Sequence, residues 1–461
     1  MRSDVDEERS QILERERALH RREREWSSET IDRLTRERDD SRAHAAGLSR
    51  RLNQIQTGRW WKLRGALLRL ARVVGVRRPV ARIKEAPPSK DLDASPRGAD
   101  ASSGTQRPTE TSLAFWPEVR GNPFQQLLYG RVGEAGLRPL PLRELNDLSP
   151  RAPAGSILHL HWTSPVLHTA KSERDARQRL WRFMATLDDL RDGGWKLLWT
   201  VHNVLPHDCR FPELEAQLCQ EIADRSDAVH VMCRATVDAV ATRYVLPASR
   251  VRVIPHPSLD GAYPNDITQA QARRDLGLSD DDIVVGAFGA IRPYKRLDAL
   301  LDAFEDVFRE EPAIRLVVAG APARAAGVEG LIERCSRHPA VVTRFERIPD
   351  DEIQRYVGAC DALALAQSDP LNSGIAMLAF TFGRPVIAPR KGCIDDLVSK
   401  DTGITFDADV PGDLVRALKE APRLRDERHR RAARARAEAV LPDEIAKRFA
   451  SLASELASLG R

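Results

Sequence analysis

The chain of 461 residues is long enough for about two or three domains with substantial hydrophobic cores. Its composition, 42% apolar and 30% charged residues, is that of a globular protein. The sequence has no apolar run of about 18 residues and therefore predicts no membrane-spanning helix. Its first residues are charged and lack the apolar centre of a signal peptide, so we expect a cytoplasmic protein.

Cysteine usage favours the same compartment. The six cysteines form no CxxC pair and show no spacing typical of metal ligands. We expect them to be separate core thiols in a reducing environment: Cys209, Cys219, Cys233, Cys335, Cys360 and Cys393.

Residues 1–57 are rich in Arg, Glu, Asp and Ser and contain no proline. Apolar residues recur every seven positions at Val5, Ile12, Leu19 and Trp26, which is a sparse heptad pattern on a charged helix. The pattern predicts a coiled coil, through which the chain would form a homo-oligomer. The alternatives are a solvated single helix and a partly disordered tail.

Residues 58–84 form a basic segment. Between Arg59 and Lys84 there are nine Lys or Arg residues and no Asp or Glu, and most apolar side chains fall on one half of a helical wheel. Such a helix is typical of proteins that bind an anionic membrane surface. We therefore expect a peripheral location on the inner face of the cell membrane. Docking on the protein's own core is the alternative, and we expect no nucleic-acid partner because no groove-reading module accompanies the segment.

Residues 85–111 are rich in Pro, Ser, Asp and Gly and predict a flexible linker. Strands and helices alternate from residue 112 onward, which predicts a Rossmann-like domain with a mostly parallel sheet over 112–255. Its predicted strands are 113–116, 137–142, 156–162, 196–202, 228–232 and 251–254. Its predicted helices are 124–135, 173–191, 213–224 and 235–244.

The run Pro255-His256-Pro257 predicts a hinge, and a second alternating series follows it. The fold class is therefore α/β, with two doubly wound Rossmann-like domains, 112–255 and 256–430, facing a cleft, and C-terminal helices over 431–461. In such sheets ligands bind at the carboxyl ends of the strands. The predicted strands of the second domain are 283–288, 314–319, 340–344, 362–366, 385–388 and 403–406.

Two strand ends of the second domain have the composition of an anion site. The first strand leads into Gly289, Arg292 and Lys295 before the next helix. Glycine permits close backbone approach, the cations neutralise an anion, and a helix start offers free N–H groups. A second strand end supplies residues that cap a helix or bind an anion: Asn372, Ser373 and Gly374.

Histidines lie at the ends of two predicted strands of the first domain. His161 and His202 would lie at the edge facing the cleft, where an imidazole can bind sugar or phosphate or accept a proton at neutral pH. Both are candidate catalytic residues. We assign His159 to a structural role because we expect it on the opposite face of the strand. The neighbouring loops supply candidate acceptor-side residues: Asn122, Trp162, Asn203 and His207.

Six segments, in this order, resemble the glycosyl transferases group 1, enzymes of the two-Rossmann (GT-B) fold, and in particular a bacterial group that builds exopolysaccharides and glycolipids. They are Gly-Asn-Pro-Phe (121–124), His-Leu-His-Trp (159–162), Trp-Thr-Val-His-Asn with Pro-His (199–207), Gly-Ala-Ile-Arg-Pro-Tyr-Lys (289–295), Leu-Asn-Ser-Gly (371–374) and Gly-Arg-Pro-Val-Ile-Ala-Pro (383–389).

The resemblance implies that the second domain holds a nucleotide-diphosphate sugar, with Arg292 and Lys295 on its pyrophosphate. It implies that the backbone near Gly374 lies by the phosphate or sugar, that His202 faces the donor, and that the last helix crosses back onto the first domain. Many members of the family also have two glutamates eight residues apart. Those positions are Pro370 and Leu378 here, which leaves Asp369 as a substitute and the donor base, sugar and stereochemistry open.

The expected activity is transfer of a sugar from a nucleotide-diphosphate donor to a hydroxyl of a membrane-proximal glycolipid or polysaccharide acceptor. The cations would stabilise the departing diphosphate, so we expect neither a metal nor another cofactor. Two alternatives remain open. One is a sugar-nucleotide epimerase on the same fold, and the other is a non-catalytic coiled-coil scaffold with a degenerate transferase domain.

Overall fold

The computed structural model describes residues 110–367 and 370–459. These residues belong to one compact unit of the chain. The predicted coiled coil of residues 1–57, the basic helix of residues 58–84, nearly all of the linker and Asp369 lie outside the described residues.

Six parallel strands form the first sheet, in the order β2-β1-β3-β4-β5-β6. Every residue of β1, β3 and β5 is buried, as expected for strands that helices cover on both faces. The strands are β1 (Ser112–Trp116), β2 (Arg138–Pro141), β3 (Ile157–Leu160), β4 (Lys196–Thr200), β5 (Ala228–Val231) and β6 (Val251–Val253).

Two of the four predicted helices of this half lie within one residue of their predicted bounds, and two are shorter than predicted, since the helix predicted over 235–244 ends at Val240. The continuous helix predicted over residues 124–135 is wrong, because α1 ends at Leu128 and a 3-10 turn, Val132–Ala135, follows it. Gly130 and Gly133 lie in this segment and lower its helix propensity. The helices are α1 (Pro123–Leu128), α2 (Ser164–Leu167), α3 (Glu173–Asp192), α4 (Pro212–Arg225) and α5 (Ala235–Val240).

A second sheet of six parallel strands has the order β12-β11-β10-β7-β8-β9. The predicted bounds of β7, β8 and β12 match the structure, since each is a buried apolar run with a clear boundary at both ends. The strands are β7 (Ile283–Phe288), β8 (Ile314–Ala319), β9 (Val341–Arg344), β10 (Ala362–Ala364), β11 (Val386–Pro389) and β12 (Gly403–Phe406).

Nine helices accompany this second sheet and the end of the chain within the described residues. They are α6 (Gln269–Asp275), α7 (Leu297–Phe308), α8 (Val328–Arg337), α9 (Ile353–Ala359), α10 (Gly374–Thr381), α11 (Ile394–Leu397), α12 (Asp413–Lys419), α13 (Glu427–Glu438) and α14 (Pro442–Ser458).

The C-terminal segment predicted over 431–461 divides between the two domains. Helix α13 packs on α10 of the second domain, whereas α14 packs on α1, on the 3-10 turn Val132–Ala135 and on β3 of the first. Phe449 of α14 is fully buried, and its ring stacks on His159 with centroids 5.3 Å apart. The chain therefore crosses back to the first domain near Leu441, between these two helices.

The expectation of six separate thiols is wrong for two cysteines. Cys233, which follows β5, and Cys393, which precedes α11, form a disulfide with their Cα atoms 5.7 Å apart. The remaining four cysteines are free thiols. The disulfide joins the two domains near the carboxyl ends of their sheets.

A buried ion pair holds the second domain together. Arg273 of α6 lies 2.8 Å from the Asp361 carboxylate, and the two side chains are only 3% and 1% exposed. The same Asp361 oxygen accepts a hydrogen bond from the Val284 backbone N–H at 2.9 Å. Asp361 also lies 3.5 Å from Arg430 of α13. One carboxylate therefore connects α6, β7 and α13.

Replacing that carboxylate should destabilise the protein. In Asp361→Asn the buried guanidinium of Arg273 loses its counter-charge, and such losses cost about 3–5 kcal/mol. We expect the unfolding midpoint in urea to fall accordingly. Glu333→Gln, which removes an exposed partner of Arg337, is the matched control and should leave the midpoint unchanged. Equal midpoints for the two variants would contradict this role of Asp361.

No helix in the described part of the chain is both long and apolar enough to cross a membrane. Within the same residues, no three His, Cys, Asp or Glu side chains are grouped so that they could hold a metal ion.

Candidate active site

The loop after β7 has the geometry of a close-approach site. Gly289 adopts a φ of +92°, in the left-handed region that favours glycine. A Cβ at this position would lie 3.0 Å from Nζ of Lys295 and 3.3 Å from Cδ1 of Ile375. The absence of a side chain at Gly289 therefore lets the ammonium group and the start of α10 approach the same point.

Lys295 lines a pocket at the carboxyl ends of β7 and β10. Burial, and secondarily the nearby Arg292, lowers the pKa of Lys295 to about 8. At neutral pH the ammonium group is therefore charged but poorly solvated, and an anion that reaches it would be bound strongly. The described residues of the pocket include no carboxylate: Ala287, Phe288, Gly289, Ala290, Ile291, Lys295, Leu297, Leu300, Val318, Ala364, Leu365, Ala366, Gln367 and Ile375.

Arg292 lies at the mouth of the cleft rather than inside the pocket. Its guanidinium is half exposed and lies 3.8 Å from the carboxylate of Asp208 in the first domain. Next to this pair, the rings of His207 and Tyr294 stack with centroids 3.8 Å apart and an interplanar angle of 5°. The structure therefore places His207, which we expected on the acceptor side, against the loop that carries Lys295.

Asn372 and Ser373 already use their side chains within the protein. The Asn372 amide donates to the backbone carbonyls of His202, at 3.1 Å, and Val201, at 3.4 Å. The Ser373 hydroxyl caps α10 by accepting from the Ala376 N–H at 3.1 Å. Asn372 is thus a tie between the domains, and the free N–H groups at the start of α10 are the donors this segment offers an anion.

His256 lies beside the start of α10, although the sequence pattern predicts only a hinge at residues 255–257. A Cβ on Gly374 would lie 3.7 Å from its Nε2. Its Nδ1 is 2.7 Å from the Pro257 carbonyl, so Nδ1 donates and Nε2 is an acceptor. Burial lowers the pKa of His256 to about 4. A histidine between two prolines at a domain junction was the available signal.

Across the cleft, His202 follows the end of β4 and is partly exposed. Trp162 stacks on its ring with centroids 4.1 Å apart at 17°, and the edge of Phe124 contacts it at 5.2 Å. Its Nε2 lies 2.9 Å from Nδ1 of His161. Burial is the main cause that lowers the pKa of His202, so the imidazole is neutral at pH 7. It is placed to accept a proton or hydrogen bond in the cleft.

The prediction that His161 faces the cleft is wrong. Its side chain is only 1% exposed, and both ring nitrogens have partners inside the protein, one being the Tyr129 hydroxyl. The expectation that His159 points the other way is also wrong, because residues two apart on a strand share a face. The two imidazole rings lie 4.2 Å apart.

The remaining candidates lie near the cleft with varied roles. The Asn122 side chain caps α1 by accepting a hydrogen bond from the Phe124 N–H at 3.0 Å. Its observed role is therefore structural. Asn203 directly follows His202 and is partly exposed. The positions of the family's two glutamates, Pro370 and Leu378, are buried here.

Residues 268–438 match the family Glycosyl transferases group 1. The chain is 26% identical over 275 residues to the GDP-mannose:glycolipid 4-beta-D-mannosyltransferase of Xanthomonas campestris pv. campestris, a match that covers 59% of this chain and 71% of that enzyme. It is 30% identical over 233 residues to the D-inositol 3-phosphate glycosyltransferase of Rhodococcus jostii, which covers 48% and 51%.

Two solved structures share the fold. The Anabaena protein HepE, in complex with UDP and glucose, superposes with a TM-score of 0.55 at 15% identity, covering 75% of this chain and 100% of that one. Sucrose-phosphate synthase from Thermosynechococcus elongatus superposes with a TM-score of 0.52 at 20% identity, covering 66% and 74%. The architecture is therefore the two-Rossmann, GT-B fold. The match of residues 268–438 to the glycosyl transferases group 1, together with the named relatives, identifies the chain as a glycosyltransferase that uses a nucleotide-sugar donor.

Lys295 should make diphosphate binding pH-dependent. A bound anion favours the charged ammonium, so affinity is full below the free-protein pKa of about 8 and falls above it. Calorimetric titration with a nucleoside diphosphate should show Kd rising up to about tenfold per pH unit above pH 8. In Lys295→Arg, whose charge persists, this rise should disappear. An identical pH profile in both proteins would contradict the assignment.

Proposed function

We propose that this enzyme transfers a sugar from a nucleotide-diphosphate sugar to a hydroxyl of a glycolipid or polysaccharide acceptor at a membrane surface. One observation carries the proposal. Lys295 and the start of α10 meet at Gly289 on one wall of the cleft. The neutral His202 lies on the other wall, and its backbone carbonyl accepts a hydrogen bond from Asn372 of the first wall.

The diphosphate would lie against Lys295 and the N–H groups that begin α10, with Arg292 at the mouth. As the bond from the sugar to the diphosphate breaks, negative charge grows on the leaving oxygens, and fixed cations and N–H groups stabilise it. Arg292 would have to leave Asp208 to reach the donor, and their contact at 3.8 Å between half-exposed groups is weak enough to exchange. With these cations in place, we propose that transfer requires no metal.

His202 would contact the sugar or the incoming hydroxyl. If the reaction inverts configuration, an unprotonated imidazole can take the acceptor's proton. If it retains configuration, the same nitrogen can hold a donor hydroxyl instead. The buried side chains at Pro370 and Leu378 supply no carboxylate for either task, which increases the dependence on His202.

The glycolipid acceptor is proposed from two observations. The Xanthomonas relatives are named for transfer from GDP-mannose to a glycolipid. The basic segment 59–84, which lies outside the described residues, would hold the enzyme at the surface where such an acceptor resides. GDP-mannose is accordingly the first donor to test, with UDP-glucose second.

Transfer should depend on Lys295. With GDP-mannose and a membrane lipid extract, we expect the Lys295→Ala variant to lose about 100-fold or more in kcat/KM, the usual effect of removing a group that stabilises the leaving charge. Arg309→Ala is the matched control, because Arg309 is an exposed cation directly after α7 that pairs with Asp306, and this variant should retain full activity.

The same assay separates the alternatives. Sugar incorporation into lipid in the presence of EDTA supports a metal-independent transferase. Release of an altered sugar nucleotide without acceptor would identify an epimerase. Absence of turnover with both GDP-mannose and UDP-glucose would favour a scaffold. Lys295→Ala activity equal to that of the parent protein would remove Lys295 from the donor site.

Membrane binding should depend on residues 59–84. Each basic residue near an anionic surface contributes about 1 kcal/mol, so deleting the segment should abolish sedimentation with phosphatidylglycerol-containing vesicles at moderate salt. A deletion of 85–109, of similar length in the linker, is the matched control and should still bind. Unchanged binding after deletion of 59–84 would contradict the proposed location.

A further inference from the structure

A continuous row of side-chain hydrogen bonds lies behind His202 in the first domain. It starts at the partly exposed His202 and ends on a backbone carbonyl, passing only through buried side chains. The atom pairs are His202 Nε2 to His161 Nδ1 (2.9 Å), His161 Nε2 to Tyr129 Oη (2.5 Å), Tyr129 Oη to His159 Nδ1 (2.8 Å), His159 Nε2 to Thr200 Oγ1 (2.6 Å), Thr200 Oγ1 to His230 Nδ1 (2.9 Å) and His230 Nε2 to Ile254 O (2.8 Å).

The inner end of the row sets its direction. The Ile254 carbonyl can only accept, so Nε2 of His230 carries a proton. In a neutral imidazole Nδ1 is then an acceptor, and the Thr200 hydroxyl must donate to it. The Thr200 oxygen in turn accepts from Nε2 of His159, whose Nδ1 accepts from the Tyr129 hydroxyl.

The same logic reaches the cleft. Because the Tyr129 hydroxyl donates its hydrogen bond to His159, its oxygen accepts a hydrogen bond from Nε2 of His161. Nδ1 of His161 is therefore an acceptor and takes its hydrogen bond from Nε2 of His202. His202 thus carries its proton on Nε2, and its Nδ1 is a bare acceptor. The reverse direction would require a doubly protonated His230.

Burial makes that reverse direction unfavourable. His230 is fully buried, and desolvation, together with the nearby His256 and Arg448, lowers its pKa to about 4. Burial also lowers the pKa values of His159, His161 and His202. The row is therefore unsuited to carrying a proton away from the cleft, since the charge would end on His230. It suits a different task, which is to hold one arrangement of neutral tautomers.

We propose that Tyr129, His161, His159, Thr200 and His230 are positioning residues that fix the tautomer of His202, so that an unprotonated Nδ1 is presented to the bound sugar or its acceptor. This inference rests on the proposed function for its catalytic meaning, although the tautomer itself is a property of the free protein. A base or acceptor with a fixed tautomer avoids the cost of rearranging when substrate arrives.

The test is a tautomer measurement in the full chain. Selective ¹⁵N labelling of histidine distinguishes protonated from bare ring nitrogens, and the His202→Gln spectrum assigns the His202 signals. In the parent protein we expect His202 as one neutral tautomer with its proton on Nε2. Thr200→Val keeps the side-chain shape but removes the hydroxyl, three hydrogen bonds away from His161, so a second His202 tautomer should appear.

Kinetics and a rescue variant complete the test. Thr200→Val should lower kcat/KM about tenfold with the Kd of the nucleoside diphosphate unchanged, because the Lys295 pocket is untouched. Thr200→Ser retains the hydroxyl and should restore both the single tautomer and the rate. A single Nε2–H tautomer in Thr200→Val, or equal losses in Thr200→Ser, would overturn the proposal. A tautomer change without any transfer activity in the parent would instead count against the proposed function alone.

Discussion

The site depends on one constraint. The two parallel sheets face each other with the carboxyl ends of their strands. Every strand in both sheets leaves its polar loop on the cleft side, so residues far apart in sequence meet there. The hydrogen bond from the Asn372 amide to the His202 carbonyl fixes this approach at atomic distance. The Cys233–Cys393 disulfide links two neighbouring loops, those after β5 and β11, and α14 packs on α1 and β3 of the first domain. The separation of the two walls is thus set by covalent and hydrogen-bonded contacts.

The two walls differ in charge, and burial explains both. The wall of the second domain holds a desolvated ammonium, Lys295, in a pocket whose described residues include no carboxylate to neutralise it. The wall of the first domain holds imidazoles that burial keeps neutral. An anionic diphosphate is attracted to the positively charged wall of the second domain. A hydroxyl is suited to the neutral wall of the first domain. In the proposed function, this asymmetry orients the donor without the carboxylates that many group 1 enzymes have.

Much of the fold was predictable because apolar runs and their spacing carry it. The local sequence pattern predicts strands β7 and β8 and the Gly289 loop, and the structure has them at the predicted residues. Contacts between distant segments were not predictable in this way. The disulfide joins residues 160 positions apart, and the stacking of His207 on Tyr294 requires knowledge of how the domains face. The buried His161 side chain bonds to the Tyr129 hydroxyl, and sequence periodicity does not predict that these two residues meet. The helix predicted over 124–135 was too long because Gly130 and Gly133 lower the helix propensity of its second half.

The most direct test of the account is a crystal structure of the full chain with a bound nucleoside diphosphate. We expect the terminal phosphate to lie within about 3.2 Å of Nζ of Lys295, with its other oxygens toward the N–H groups at the start of α10 and its free side facing His202. A diphosphate bound elsewhere, with Lys295 and Gly374 out of reach, would contradict the central claim that this cleft is the donor site.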